Sequence, residues 1–408
     1  MKTNIKSYDN GIAIAKGFGI IFMVIGHCSA VPYHGGNSLW QTYISQYIYL
    51  FHMPLFFFLS GYFFKFSHIY NKKLFVKKKI DGLWKPYVKW GLFFVLIHNI
   101  LHTFGLYSAF HGPEPTQYSL GGIFYNCAQI LLLRGGDQLI GGFWFIPVLF
   151  RSAICAMLTL WAVGAALDLA VIYAKELQEK YPLLSKPLSL ISLAAYGNRN
   201  VEIKDMKCHE LRVALLSFGM LAIGAILLLS INRMPSVGHT FLASAIFMAG
   251  FITSRITIIN HKIWKIGFVV IGTVLCACIS VLYPTSFATG GFWGTLRTLT
   301  LGCIGTWTWV IISRAIAKRR GMISEFLIYV GKNTMIVLAL HFSCFKIVNA
   351  LKIYYYDLPN SQIGAFPIIS DDHSGNGMVW FILYLIVGVV LPITIMRLYE
   401  KSRFSGKL

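Results

Sequence analysis

Ten apolar runs, each close to twenty residues, order the chain, at 11–31, 44–64, 86–105, 141–163, 211–230, 240–258, 263–282, 297–316, 333–350 and 379–398. A run of that length is what an α-helix needs to cross the roughly 30 Å hydrocarbon layer. Helices serve because lipid offers no partner to an open backbone N–H or C=O. The chain is therefore predicted to be all-α, a polytopic membrane bundle of about ten transmembrane helices. Composition closes the soluble alternative. Hydrophobic residues make up 56% of the 408 and charged residues 12%, with a mean hydropathy of +0.63. A soluble domain carries about twice that share of charge, and the 15% of aromatics suits interfacial Trp and Tyr belts.

The formal net charge of +21 is explained by where the basic residues fall. Lys65, Lys72, Lys73, Lys77, Lys78, Lys79 and Lys85 share one inter-span segment, and Lys175, Lys180, Lys186, Arg199, Lys204, Lys207 and Arg212 share another. Lys2 and Lys6, Arg255 with Lys262 and Lys265, Arg314 to Arg320, and Arg397 to Lys407 occupy the remaining segments on that side. The opposite segments carry Arg134, Arg233, Arg297 and Lys352. The positive-inside rule then puts both termini in the cytoplasm. It also removes nucleic acid as the partner that the charge serves; the partner is the lipid bilayer. The first run is longer than a secretory h-region and more spans follow it, so it is expected to stay as a span.

Residues 1–408 read as a single membrane-embedded domain. Residues 106–140 form an outer loop, Gly/Pro-rich at His111–Pro115 and then apolar and re-entrant around Ile123–Leu133. Residues 164–210 form a long cytoplasmic loop, helical in part near Lys175–Lys180 and interrupted by Pro182 and Pro187. Six of the eight cysteines lie inside apolar runs, a pattern of buried thiols rather than a disulfide framework. No cysteine has partners at metal-ligand spacing, so no metal is expected.

Ionisable side chains in hydrocarbon are functional candidates. The first span has two, Lys16 and His27, eleven residues apart. At about 100° per residue they fall within about 20° of one another on the helix, and the rise between them is roughly 16 Å. A cation near the cytoplasm can hold an anionic donor while an imidazole further up moves a proton. The alternative is a lysine snorkelling to the surface and a histidine bonded to a backbone carbonyl. In the second span His52 is followed by Pro54, and a proline frees a carbonyl and bends the axis, which opens space. A kink lined by a structural histidine fits the same residues.

Lys16 eleven residues before His27, then Phe51-His52-Met53-Pro54-Leu55-Phe56-Phe57-Phe58-Leu59-Ser60-Gly61-Tyr62, a basic loop closing in Pro86-Tyr87, Trp144-Phe145-Ile146-Pro147, and Gly331-Lys332-Asn333-Thr334 with His341 follow one another in order. In these features the chain resembles the acyltransferase 3 family of bacterial membrane O-acyltransferases, especially its fucose 4-O-acetylase-like branch. The resemblance implies a bundle of about ten helices and an acyl-CoA donor, most simply acetyl-CoA, taken from the cytoplasm as a co-substrate. No permanently bound cofactor is implied. The acyl group would go to a hydroxyl of a glycan or glycolipid acceptor at a bacterial inner membrane. His27 would be the catalytic base, Lys16 its paired cation, and His52 and Ser60 would line the same cavity. Lys79 fits the first of two basic places before Pro86-Tyr87; the second falls on Gly82, which leaves Lys85 and Lys78 as substitutes beside Lys79 and Tyr87 at the donor end.

The chemistry stands without the family. An alcohol attacks a thioester poorly until a base removes its proton, and a positioned neutral histidine supplies about 10²–10⁴-fold. No serine or cysteine sits in a nucleophile elbow, which favours direct attack over an acyl-enzyme. The lysine-dense loop offers a field for the phosphates of coenzyme A, with orientation and contact to anionic lipids as the other reading. Arg151, seven residues after Trp144, is expected nearly on its face and paired inside the bundle. Trp144 itself serves a membrane belt or an acceptor sugar. Asn333 and His341 line an inner route or cap a broken helix. A glycolipid transporter or flippase is the rival function, although the two homologous halves common in carriers are not detectable.

Overall fold

The computed structural model describes residues 9–29, 39–109, 115–181, 205–232, 234–256, 262–319, 321–369 and 377–405. Within them the chain is all-helical. The long helices are α1 (Asn10–Cys28), α2 (Leu39–Tyr62), α4 (Lys85–Thr103), α6 (Phe145–Lys180), α7 (Asp205–Ile231), α8 (Pro235–Arg255), α9 (Lys262–Leu282), α10 (Gly291–Ala317), α12 (Thr334–Tyr356) and α13 (Gly377–Ser405). Shorter helices α3 (Lys72–Lys79), α5 (Leu120–Leu131) and α11 (Met322–Lys332) join them. Each of the ten expected spans coincides with one long helix. Among the described residues eight helices are long and apolar enough to cross a membrane. The exceptions are α2, diluted by Gln41, Ser45, Gln46 and His52, and α4, diluted by Lys85, Lys89, His98 and His102.

Helix α1 is the axis of the bundle. Asp9 caps it, its carboxylate accepting from the backbone N–H of Gly11 at 3.0 Å and Ile12 at 3.3 Å, which satisfies two of the helix's orphan donors. Helices α2, α10, α11, α12 and α13 surround it. Its apolar window is 72% buried at a mean hydropathy of 1.8, whereas that of α9 is 17% buried at 2.3. A helix enclosed by other helices tolerates polar side chains that a lipid-facing one does not. Close approach needs small residues: a Cβ on Gly331 of α11 would collide with the Ala13 carbonyl, and one on Gly17 would stand 2.5 Å from the Leu327 carbonyl.

One loop expectation changes and one holds. The helix expected near Lys175–Lys180 is present but is not a separate piece of a loop; α6 runs unbroken for 36 residues to Lys180. The stretch is rich in Ala, Leu, Glu and Lys, strong helix formers, and its first proline comes only at Pro182. At 1.5 Å per residue α6 is about 54 Å long, well beyond the hydrocarbon layer. Residues 182–204, including Pro187, Lys186, Arg199 and Lys204, lie outside the described residues, as do His111–Glu114 of the outer loop. Behind them α5 descends along α4: Tyr118 meets Asn99 (2.7 and 2.8 Å), and the Trp84 indole donates to the Leu131 carbonyl at 3.2 Å. The chain then returns past Tyr87, whose hydroxyl donates to the Gly135 carbonyl, to Asp137 beside His98. The apolar stretch is thus a re-entrant hairpin that leans on α4.

Candidate active site

A cavity of about 980 Å³ lies between α1, α2, α3, α6 and α12. On α1 its wall is formed by Lys16, Ile20, Met23 and His27, a 4-3-4 spacing that makes one stripe of a helix. Lys16 and His27 therefore share one compartment. On α2 the wall includes Tyr49, His52, Met53, Phe56 and Ser60. The Pro54 ring is packed against Gly302 of α10, where an added Cβ would lie 2.9 Å from the ring and 3.3 Å from the Leu50 carbonyl. That is the carbonyl a proline at this place releases from the helix ladder.

One end of the cavity is basic. Lys16, Lys65, Lys78 and Lys79 contribute to the wall, with His68 among them, and no Asp or Glu of the described residues does. Lys79 Nζ donates to Ser60 Oγ at 2.7 Å, and Lys78 Nζ stands 3.4 Å from His68 Nε2. Burial and then the Lys16 charge lower the Lys79 ammonium to about 8. Burial, then Lys78, Lys65 and Lys79, also hold the His68 imidazole below its usual value. Crowded, partly desolvated cations without a carboxylate make a site for an anion. Between α3 and α4 the backbone forms a π-turn over Ile80–Trp84, which brings Gly82 and Leu83 into the wall; such single turns accompany functional sites.

The other end is apolar and aromatic. The 3₁₀ segment Gln138–Trp144 supplies Gln138, Gly141, Gly142 and Trp144, the α9–α10 connection supplies Ser286 and Phe287, and Phe366 closes the top. Two histidines meet there. His27 Nδ1 lies 3.0 Å from His341 Nε2, with the rings nearly parallel at 11°. His341 Nδ1 lies 3.0 Å from the carbonyls of both Val337 and Leu338. His52 Nδ1 lies 3.0 Å from the Ile48 carbonyl, so the backbone bond of the structural reading is present while the ring also faces the cavity.

Five candidates are placed elsewhere. Lys85 is 63% exposed and paired at 2.6 Å with Asp81, one turn back on the π-turn, so its charge is met outside the cavity. Tyr87 is 1% exposed and committed to Gly135; it anchors the hairpin that leads into residues 138–144. Arg151 is exposed, with Nε 3.3 Å from the Pro147 carbonyl of its own helix. It is absent from the cavity wall that Trp144 joins. Asn333 Nδ2 donates to the Tyr329 carbonyl at 3.0 Å and caps α11, while its neighbours Thr334 and Met335 reach the cavity. His341 stands behind His27 rather than in the wall.

Residues passed over in the sequence hold the frame. His98 Nδ1 bonds Asp137 Oδ2 at 2.7 Å, and the Tyr107 hydroxyl donates to the same carboxylate at 3.0 Å. Lys346 Nζ donates to the carbonyls of Gly364 (2.9 Å) and Ala365 (2.8 Å), next to Phe366. His98 and Lys346 both lie inside apolar runs, and that placement alone was the signal that could have found them.

No curated protein and no solved structure matches the chain. Residues 9–174 match a family model described as an acyltransferase domain, a stretch that runs from α1 through most of α6 and contains Lys16, His27, His52, Ser60, Lys79 and Trp144. An acyltransferase 3 domain is therefore present in this multi-pass membrane bundle, and it supports acyltransferase activity in general.

Proposed function

We propose that the chain is a membrane O-acyltransferase of a bacterial inner membrane that carries an acyl group, acetyl in the first instance, from cytoplasmic acyl-CoA to a sugar hydroxyl of a surface polysaccharide or glycolipid precursor. The observation that supports the reading is one cavity joining a cluster of lysines, with no carboxylate of the described residues in its wall, to the imidazole of His27. Lys16, Lys78 and Lys79 would hold the phosphates of the donor on the side that the basic residues mark as cytoplasmic. The thioester would then extend towards His27. Trp144, Phe287 and Phe366 offer apolar faces to a sugar ring, and Gln138 and Ser286 offer polar contacts at the same end. The branch of the family to which the motifs are most similar is consistent with a glycan acceptor.

The step balances as follows. His27 takes the proton of the acceptor hydroxyl as its oxygen attacks the thioester carbonyl carbon. The tetrahedral intermediate collapses with cleavage of the C–S bond. The imidazolium returns its proton to the departing thiolate, leaving the ester and free coenzyme A. No side-chain nucleophile takes part.

The test uses inverted inner-membrane vesicles from the organism of origin, which hold the native acceptor, with radiolabelled acetyl-CoA added. His27→Ala is expected to abolish incorporation of label into glycan while the protein remains in the membrane at normal abundance. Undiminished incorporation would remove the mechanism. Release of the coenzyme A thiol also separates transfer from transport, since a pure carrier leaves the thioester intact.

A further inference from the structure

The His27–His341 contact determines where the protons sit. A carbonyl oxygen only accepts, so His341 Nδ1, 3.0 Å from the Val337 and Leu338 carbonyls, is the nitrogen that carries hydrogen. In a neutral ring the other nitrogen is then a bare acceptor. That nitrogen, Nε2, lies 3.0 Å from His27 Nδ1, which must therefore donate. The consequence passes to His27: its hydrogen is fixed on Nδ1, and Nε2 keeps the lone pair. The rings are nearly parallel, at 11° with centroids 5.1 Å apart, which is compatible with this N–H···N bond. Helix α12 thus sets the tautomer of a residue on α1, far away in sequence, through its own backbone.

We propose that His341 is the positioning residue of the reaction, holding His27 in the tautomer whose Nε2 can accept the acceptor's proton and stabilising the imidazolium that forms. The proposal rests on the reading of His27 as the base. It gives His341 a role distinct from the substrate contact that its sequence position suggested. His341 is fully buried, at 0% exposure, and packed by Phe342 at 4.0 Å between ring centroids, so the ring does not turn freely. An imidazole is the side chain that can do this: it donates backwards to its own helix and accepts forwards from His27. The arrangement has the logic of a base oriented by a third group, with a neutral acceptor in place of a carboxylate.

The experiment compares His341→Leu and His341→Gln in the vesicle assay with radiolabelled acetyl-CoA. Glutamine can bring an amide oxygen close to the place of Nε2; leucine brings none. The leucine variant is expected to lose about 10- to 100-fold in kcat through a misdirected base, with KM for acetyl-CoA moved less than about twofold, because the donor's cations are untouched. The glutamine variant is expected to recover most of that loss. If the leucine variant does not reach the membrane, His341→Asn, whose amide is too short to meet His27, takes its place. Equal kcat in the leucine (or asparagine) variant and the parent overturns the proposal, as does a glutamine variant that is as slow as leucine. His27→Ala in the same assay keeps the two ideas apart: activity there overturns the base itself, whereas its loss beside an unaffected His341→Leu overturns only the positioning.

Discussion

Lys79 Nζ donates a 2.7 Å hydrogen bond to Ser60 Oγ, which ties the basic segment of α3 to α2 two turns beyond His52. The lysine is lowered to about 8 by burial and then by the charge of Lys16. A lysine lowered in this way is charged below that pH and neutral above it. Donor capture, measured as kcat/KM for acetyl-CoA, reports the free enzyme and is expected to hold level up to about 8 and to fall on the alkaline side. Lys79→Arg is expected to remove that fall, because a guanidinium stays charged throughout. An identical alkaline limb in the arginine variant would assign the titration to another group.

The crossing of α2 and α8 tests the packing. A Cβ on Gly61 would strike the Phe247 carbonyl, and one on Gly250 would strike the Phe58 carbonyl. Since each glycine faces the other helix's backbone, neither clash is relieved by turning a side chain. Gly61→Ala is expected to destabilise by about 1–3 kcal/mol, read as a lower midpoint in detergent-driven unfolding. Gly219→Ala on α7, where an added Cβ meets nothing within 4 Å, is expected to leave the midpoint unchanged or raise it, since alanine is the better helix former. Equal midpoints for the two variants would mean that α2 and α8 do not cross this closely.

Much of this was legible in the chain itself, for definite reasons. Hydrocarbon demands one secondary structure and a nearly fixed length, so the ten long helices follow from apolar runs. Helical periodicity put Lys16 and His27 on one stripe, and local spacing carries that far without further knowledge. The same arithmetic set Arg151 near the face of Trp144 but could not say that its side chain lies exposed, 3.3 Å from the Pro147 carbonyl. It also could not join residues from distant spans. Nothing local says that His341 meets His27, or that Asp137 meets His98, since those contacts depend on how whole helices pack. The helix near Lys175–Lys180 was legible, but its continuity with α6 was not, because the apolar run that marks a span ends near residue 163 while the residues after it still favour helix.

One of the two buried lysines on α12, Lys346, gives a test of the outer closure. Lys346 is 5% exposed and satisfies the carbonyls of Gly364 and Ala365, while Asn349 Nδ2 adds bonds to Ile363 (3.1 Å) and Ala365 (3.2 Å). Lys346→Met keeps most of the volume and removes the donor, leaving carbonyls without their partner at about 1–3 kcal/mol. The expected result is faster backbone hydrogen exchange across residues 357–369, with little change at α9. Unchanged exchange there would mean that Asn349 and Lys352, whose Nζ donates to the Ile369 carbonyl at 3.1 Å, hold the segment without it.

His98 and Asp137 form the buried pair of the re-entrant hairpin, with side chains 2% and 0% exposed. His98 Nε2 also faces the Thr116 carbonyl at 3.2 Å, so both ring nitrogens are engaged. Asp137 further accepts from the Tyr107 hydroxyl and from the Leu139 N–H at 2.9 Å, at the start of the segment that roofs the cavity. Asp137→Asn keeps the shape and takes one acceptor oxygen from these buried donors, at about 1–3 kcal/mol. His98→Gln is expected to be costly by itself as well. Because each single change orphans the other group, the double variant is expected to lose clearly less than the sum of the two. Unfolding free energies of the four proteins form the cycle, and strict additivity would show that the two side chains do not act as a pair.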